Sequence, residues 1–158
     1  MTEIHITRIL CPVDFSECSD HALRYAQDLA EAFGAELKLL HVVEVPFLPS
    51  YSMAGVPDLS MPIEQLEEGA REHLEKVLER ARQQVEGIEV TGEVRPGTAF
   101  VEIIDTAREM DADLIVMGTH GRSGLKQLLI GSVAEKVVRK APCPVLTVKH
   151  PEQDFELP

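Results

Sequence analysis

Short apolar runs alternate with longer amphipathic stretches along nearly all of this chain, and no other feature restricts its fold as much. A strand covered on both faces reads as a continuous apolar run, whereas a helix lying on a sheet carries apolar residues on one side only. Their repeated alternation marks βα units around a parallel sheet. Five strands and four helices are read this way. The strands are "ITRILCPV" (6–13), "ELKLLHVV" (36–43), "IEVTGEV" (88–94), "DLIVMG" (113–118) and "PVLTV" (144–148).

The helices show in the spacing between them. Ala22, Leu23, Ala26, Leu29, Ala30 and Phe33 fall on one face, closed by Gly34 as a C-cap. Ile63, Leu66, Ala70, Leu74, Val77, Leu78, Ala81 and Val85 trace a longer stripe, whose other side bears Glu64, Glu67, Glu68, Glu72, Glu75 and Glu79 as a solvated face. Thr98 is placed to cap a third helix with Phe100, Ile103, Ile104 and Ala107 inward. Ser132 and Glu135 have the spacing of a capping box for the fourth. Residues 44–62 break the alternation, with four prolines and no period, and are expected to form a lid or a partner surface.

At 158 residues and 44% apolar content, the chain suits one globular domain with a full core, ending in an acidic tail at 151–158. The start lacks a basic segment leading into a long apolar stretch, and no run approaches the ~18 residues of a membrane span, so a soluble, cytoplasmic protein is expected. Cys11, Cys18 and Cys143 lack paired metal or redox spacing and are expected to be reduced thiols. Cys11 and Cys143 are expected to be buried and inert, and Cys18, near a helix start, to be mildly reactive.

The net charge of −12 sets the chain against nucleic acid and anionic membranes. One segment runs the other way: "GTHGRSGLKQLLIGS" (118–132) holds four glycines with His120, Arg122 and Lys126, and no acid. In open parallel sheets ligands lie beyond the carboxyl ends of the strands, where strand order reverses. The loop after strand one offers Asp14 there, and the loop after strand four offers this glycine-rich segment. Gly131-Ser132 then opens a helix whose first N–H groups have no internal partners, a start suited to an anion. The spacing of a P-loop, a Rossmann fingerprint, a nucleophile elbow and a zinc-protease motif is absent, and no metal-ligand cluster is evident.

The pattern Gly118-x2-Gly121-x9-Gly131-Ser132, preceded by "DLIVM" and followed by "VAEKVVRKAPCPVLTV", resembles the nucleotide-binding signature of universal stress proteins. "ILCPVDFSECSDHALRYAQDLAEAFGAELKLLHVVE" and "RPGTAFVEIIDTAREMDADLIVMGTHGRSG" extend the resemblance over most of residues 4–149. It implies a flavodoxin-like, adenine nucleotide α-hydrolase-like α/β sandwich with strand order 3-2-1-4-5, and similarity to the branch that binds ATP. In that case Asp14 would contact the nucleoside, Val42 would lie against adenine, and Pro12 and Val13 would wall the pocket. Met117, Gly118, His120, Gly121, Gly131, Ser132 and Val133 would surround ribose and phosphates, supplemented by Arg122. The nucleotide expected is ATP, or AMP or ADP, with Mg held mainly by the phosphates. The resemblance also implies a homodimer through the last strand, and a further protein partner is conceivable.

Plainer roles compete with these. Ser132 can serve as a helix cap, Asp14 as the anchor of helix one, His120 as a solvated loop residue, and Met53 and Met61 as packing residues. His21, His41 and His73 have no sequence neighbour that gives them chemistry. Three classes follow: an ATP-binding dimeric regulatory module of the stress response, a slow ATPase or self-phosphorylating enzyme, and a nucleotide-free dimer scaffold. The first is favoured, because no residue stands out as a catalytic base.

Overall fold

The computed structural model describes residues 3–45, 60–121 and 130–150. The sheet and helices follow the chain as β1 (Arg8–Pro12), α1 (Glu17–Phe33), β2 (Glu36–Glu44), α2 (Ser60–Gln84), β3 (Val90–Gly97), α3 (Ala99–Glu109), β4 (Leu114–Gly118), α4 (Ser132–Lys140) and β5 (Val145–Val148). All five strands are parallel, in the order β3-β2-β1-β4-β5. This is the expected α/β architecture and strand order. Of the irregular stretch 44–62, Glu44 closes β2 and Ser60 opens α2, while 46–59 lie outside the described residues, as does the tail 151–158.

Side-chain alternation along the strands divides the core into two layers. Ile9, Cys11, Leu37, Leu39, Leu114 and Val116 pack with Ala22, Ala26 and Ala30 of α1 and Leu74, Leu78 and Ala81 of α2. Leu10, Leu40, Ile115 and Met117 face the other way, against Ile103 and Ala107 of α3 and Ala134 and Val137 of α4. Because residues i and i+1 serve opposite faces, a strand buried on both must be apolar throughout, which is why β1 and β4 read as runs. Completing each βα unit with a helix sets two helices on each face.

Helix ends test the local signals. Gly34 closes α1 at φ 65°, its N–H directed to the carbonyls of Ala30 and Glu31. Thr98 holds the N-cap position of α3, but its side chain makes no capping bond. The capping box expected at Ser132 does not form. Gly131 is the N-cap of α4 and Ser132 is its first helical residue, so the serine hydroxyl is one position too late to cap, and among the described residues no side chain caps this helix. Glu135 pairs instead with Arg139 at 2.9 Å, one turn on.

Several apolar expectations shift as well. Phe33 and Leu66 are exposed rather than inward. β1 is shorter than the apolar run 6–13, although Val13 N–H still donates to the Leu40 carbonyl at 2.8 Å. Cys11 is fully buried, and burial pushes its thiol up to about 12. Cys143 is only half-buried, its thiol also raised by burial. Cys18 is buried rather than accessible, its thiol 3.7 Å from the Val148 carbonyl oxygen.

The two sheet edges differ. β3 carries Glu93, Arg95 and Pro96, with Glu93 bridging Lys38 at 3.0 Å and Arg95 at 2.6 Å. Charges and a proline on an edge discourage pairing with another chain. β5, "VLTV", has no charged residue, and Leu146 is exposed.

Candidate functional site

β1 and β4 are neighbours at the centre of the sheet, yet their following helices leave on opposite faces, so the turns after them diverge and open a crevice. The cavity there is about 780 Å³. Pro12, Val13, Asp14, Val42, Met117, Gly118, His120, Gly121, Gly131, Ser132 and Val133 all line it. Arg122, expected as a supplement, lies outside the described residues.

One wall is the β1–α1 turn. Asp14 Oδ1 accepts from the Ser16 N–H at 3.0 Å and from the Ser16 hydroxyl at 2.5 Å. Ser16 is the N-cap of α1, its hydroxyl accepting from the Ser19 N–H at 3.2 Å. The Asp14 N–H donates in turn to the Ser19 hydroxyl at 3.3 Å. Asp14 therefore anchors the start of α1 by holding its cap rather than capping it. Phe15, between them, takes φ 63°, a left-handed backbone that costs on the order of 1 kcal/mol for a side chain of this size.

The other wall is main chain. The Thr119 N–H donates to the Val148 carbonyl at 3.0 Å, carrying the β4–β5 ladder past Gly118. The Gly131 N–H donates to the Thr119 carbonyl at 2.6 Å, which folds the start of α4 back over the end of β4. The Thr119 hydroxyl and His120 Nδ1 are 3.0 Å apart. The first turn of α4, Gly131 to Ala134, lines the crevice at the positive end of the helix dipole, and among the described residues no side chain caps it.

The glycines also let the walls meet. A Cβ on Gly118 would lie 2.8 Å from Cys18 Sγ and 3.2 Å from the Cys18 carbonyl oxygen. On Gly121 it would lie 2.9 Å from Asp14 Oδ2, and on Gly131 3.0 Å from the Thr119 carbonyl oxygen. The sequence pattern points these positions at a ligand; the tertiary structure shows that two of them touch the opposite wall.

Three aromatic side chains in the lining carry no sequence signal of their own. Phe15 stacks on His41 from β2, with centroids 4.2 Å apart, and on His73 from α2, at 3.9 Å and nearly parallel. His41 Nδ1 is 2.8 Å from the Val13 carbonyl oxygen. The strand register puts Leu40 opposite Pro12, so His41 falls one step beyond the end of β1, a position that a sequence register could have found. For His73 there was no such cue. The lining further includes Leu66, Gly69, Ala70, Ala99 and Ile103, brought in by α2 and α3.

Among the described residues no helix is long and apolar enough to cross a membrane, and no cluster of three or more metal-ligating side chains is gathered. The profile of the universal stress protein family matches residues 5–149. The universal stress protein MJ0531 of Methanocaldococcus jannaschii is 37% identical over 147 residues, spanning 93% of this chain and 84% of the relative. The solved structure of the hypothetical protein MJ0577 superimposes with a TM-score of 0.76 at 30% identity, over 93% of this chain and 98% of that one. A universal stress protein from Archaeoglobus fulgidus, solved in complex with dAMP, gives a TM-score of 0.59 at 25% identity, over 92% and 98% of the two chains.

Proposed function

Because this chain belongs to the universal stress protein family, we infer that its crevice is an adenine-nucleotide site and that the protein is an ATP-binding regulatory module of the stress response. One observation carries this inference: a carboxylate held rigidly on one wall faces a helix start opened by Gly131 on the other, across a cavity of about 780 Å³. A carboxylate accepts from hydroxyl or amino groups of a nucleoside, and backbone amides at a helix start receive phosphate oxygens. The dAMP complex of the Archaeoglobus fulgidus relative supports the same ligand class.

In this scheme Asp14 and the main chain around Val42 hold the nucleoside, between Pro12, Val13 and Met117. His120, Gly121, Gly131, Ser132 and Val133 receive ribose and phosphates, and Mg travels with the phosphate oxygens. Arg122 is kept as a supplementary phosphate contact. The protein acts in the cytoplasm as a homodimer through β5. The contrast between the charged β3 edge and the uncharged β5 edge supports that choice of surface.

Mass spectrometry of small molecules released from freshly purified, denatured protein tests the ligand class, and calorimetric titration with Mg-ATP and with AMP tests the affinity. A co-purified adenine nucleotide, or saturable binding of either titrant, is the expected outcome. An extract free of nucleotide together with flat titrations ends the proposal. Sedimentation of the parent and of Leu146→Glu tests the dimer, whose loss in the variant is expected; two identical monomeric profiles refute it.

A further inference from the structure

We propose that Phe15, clamped between His41 and His73, is a positioning residue that aims the Asp14 carboxylate into the crevice, and that His73 thereby ties α2 to the nucleoside half of the site. The binding arm of this inference rests on the adenine-nucleotide function above. Its structural arm does not.

A bulky residue at φ 63° relaxes to the β or right-handed region unless its surroundings hold it. Here two rings do so, one on each face. His41 lies 4.2 Å away at 23°, and His73 lies 3.9 Å away at 7°. The first is itself fixed, being buried with Nδ1 2.8 Å from the Val13 carbonyl oxygen, an acceptor, so that this nitrogen donates. The second is carried by α2, whose adjacent Leu74 is buried in the core.

The conformation of Phe15 sets the direction of the chain between Asp14 and Ser16. In the left-handed arrangement Asp14 Oδ1 reaches the Ser16 N–H at 3.0 Å, while Oδ2 stays on the Gly121 side of the crevice. Relaxation at Phe15 would part the carboxylate from Ser16 and turn it from the crevice. His41 is buried in β2, so its removal would disturb the sheet as well. His73 is exposed and can be removed without opening a core cavity. Among the described residues its one ring contact of this kind is the face it lays on Phe15.

Two measurements on the whole chain decide the matter. In ligand-free protein, amide hydrogen exchange at Ser16 should speed up about fivefold in His73→Ala, the order of effect of one aromatic pair, and return to the parent rate in His73→Phe, which keeps a flat ring. In titrations, His73→Ala should weaken AMP about fivefold and leave inorganic tripolyphosphate unaffected, since the phosphate wall is separate, and His73→Phe should restore AMP. An unchanged Ser16 exchange rate in His73→Ala overturns the proposal, as does an equal loss of AMP and tripolyphosphate, which would mean general loosening of the fold. Should the parent bind neither ligand, the nucleotide function fails, and Ser16 exchange alone still decides whether Phe15 is held by His73.

Discussion

The two walls of the crevice are built on opposite plans. On the β1–α1 side, Asp14, Ser16 and Ser19 form a short hydrogen-bonded chain, and Phe15 is held by rings from β2 and α2. On the β4–α4 side the surface is backbone, and Gly118, Gly121 and Gly131 each leave room where a Cβ would press on a neighbour. The first wall is therefore damaged by removing side chains, the second by adding them. Sites of this form pair one directed acceptor with a bed of amides. The acceptor needs support from its surroundings to hold its angle; the amides need only the absence of bulk.

The largest effect expected from this contrast is on ligand affinity. Gly131→Val sets branched bulk 3.0 Å from the Thr119 carbonyl oxygen, a backbone atom that cannot swing aside. Loss of one charge-assisted amide contact is worth about 1.5–3 kcal/mol, so Mg-ATP should bind roughly ten- to a hundredfold more weakly, by calorimetry, with the circular dichroism of the parent retained. Parent-like affinity would break the contrast, since the second wall would then tolerate bulk.

Next is a test of stability rather than binding. Gly118→Ala forces a methyl between β4 and the first turn of α1, against Cys18 Sγ and the Cys18 carbonyl oxygen, and should cost about 1–3 kcal/mol in urea denaturation. Adding Cys18→Ala should return part of that cost, because the sulfur contact is relieved and the carbonyl contact remains. Full additivity of the two changes would show that the walls do not touch through these residues.

A smaller effect serves as a control away from both walls. Thr106 in α3 is buried, and its hydroxyl is the one buried side-chain polar atom among the described residues with no hydrogen-bond partner. Thr106→Val keeps the shape and removes the orphaned group, so it should raise stability by about 1 kcal/mol and leave ATP affinity alone. A change in affinity would show that the core beneath α3 is coupled to the site.

The smallest effect lies at the opposite end of the sheet. The Thr7 N–H, at 2.8 Å, together with the Thr7 hydroxyl and the Arg8 N–H, holds the Asp113 carboxyl below its usual range. A carboxyl lowered in the folded state adds stability above its unfolded value of about 3.9, and that share is lost as pH falls through the lower folded value. The stability advantage of the parent over Asp113→Asn should accordingly be constant at neutral pH and shrink below about pH 4. An advantage independent of pH would assign Asp113 a role other than its charge.

Legibility from sequence followed the range of the interaction. β4 was plain because both of its faces are buried, and the Gly34 cap because a left-handed helix end favours glycine. The glycine spacing and Asp14 led to residues that do line one cavity. The Ser132–Glu135 spacing misled, since a one-residue shift in where α4 starts converts a cap into a first helical residue. Leu66 and Phe33 fit the apolar period yet are exposed, Phe33 as the last residue of α1 and Leu66 in the lining of the crevice.

What the sequence determined by itself was the alternation of elements, the parallel sheet that alternation requires, and the crevice such a sheet opens where its order reverses. These depend on periodicity and on backbone chemistry, both local. Tertiary structure alone decided that Gly118 and Gly121 abut the opposite wall, that Gly131 rather than Ser132 caps α4, and that Phe15 lies between His41 and His73. Each of those outcomes depends on how far apart two packed elements settle and on their relative register. Separations of a few tenths of an ångström are set by the whole core at once, and no short stretch of chain encodes them.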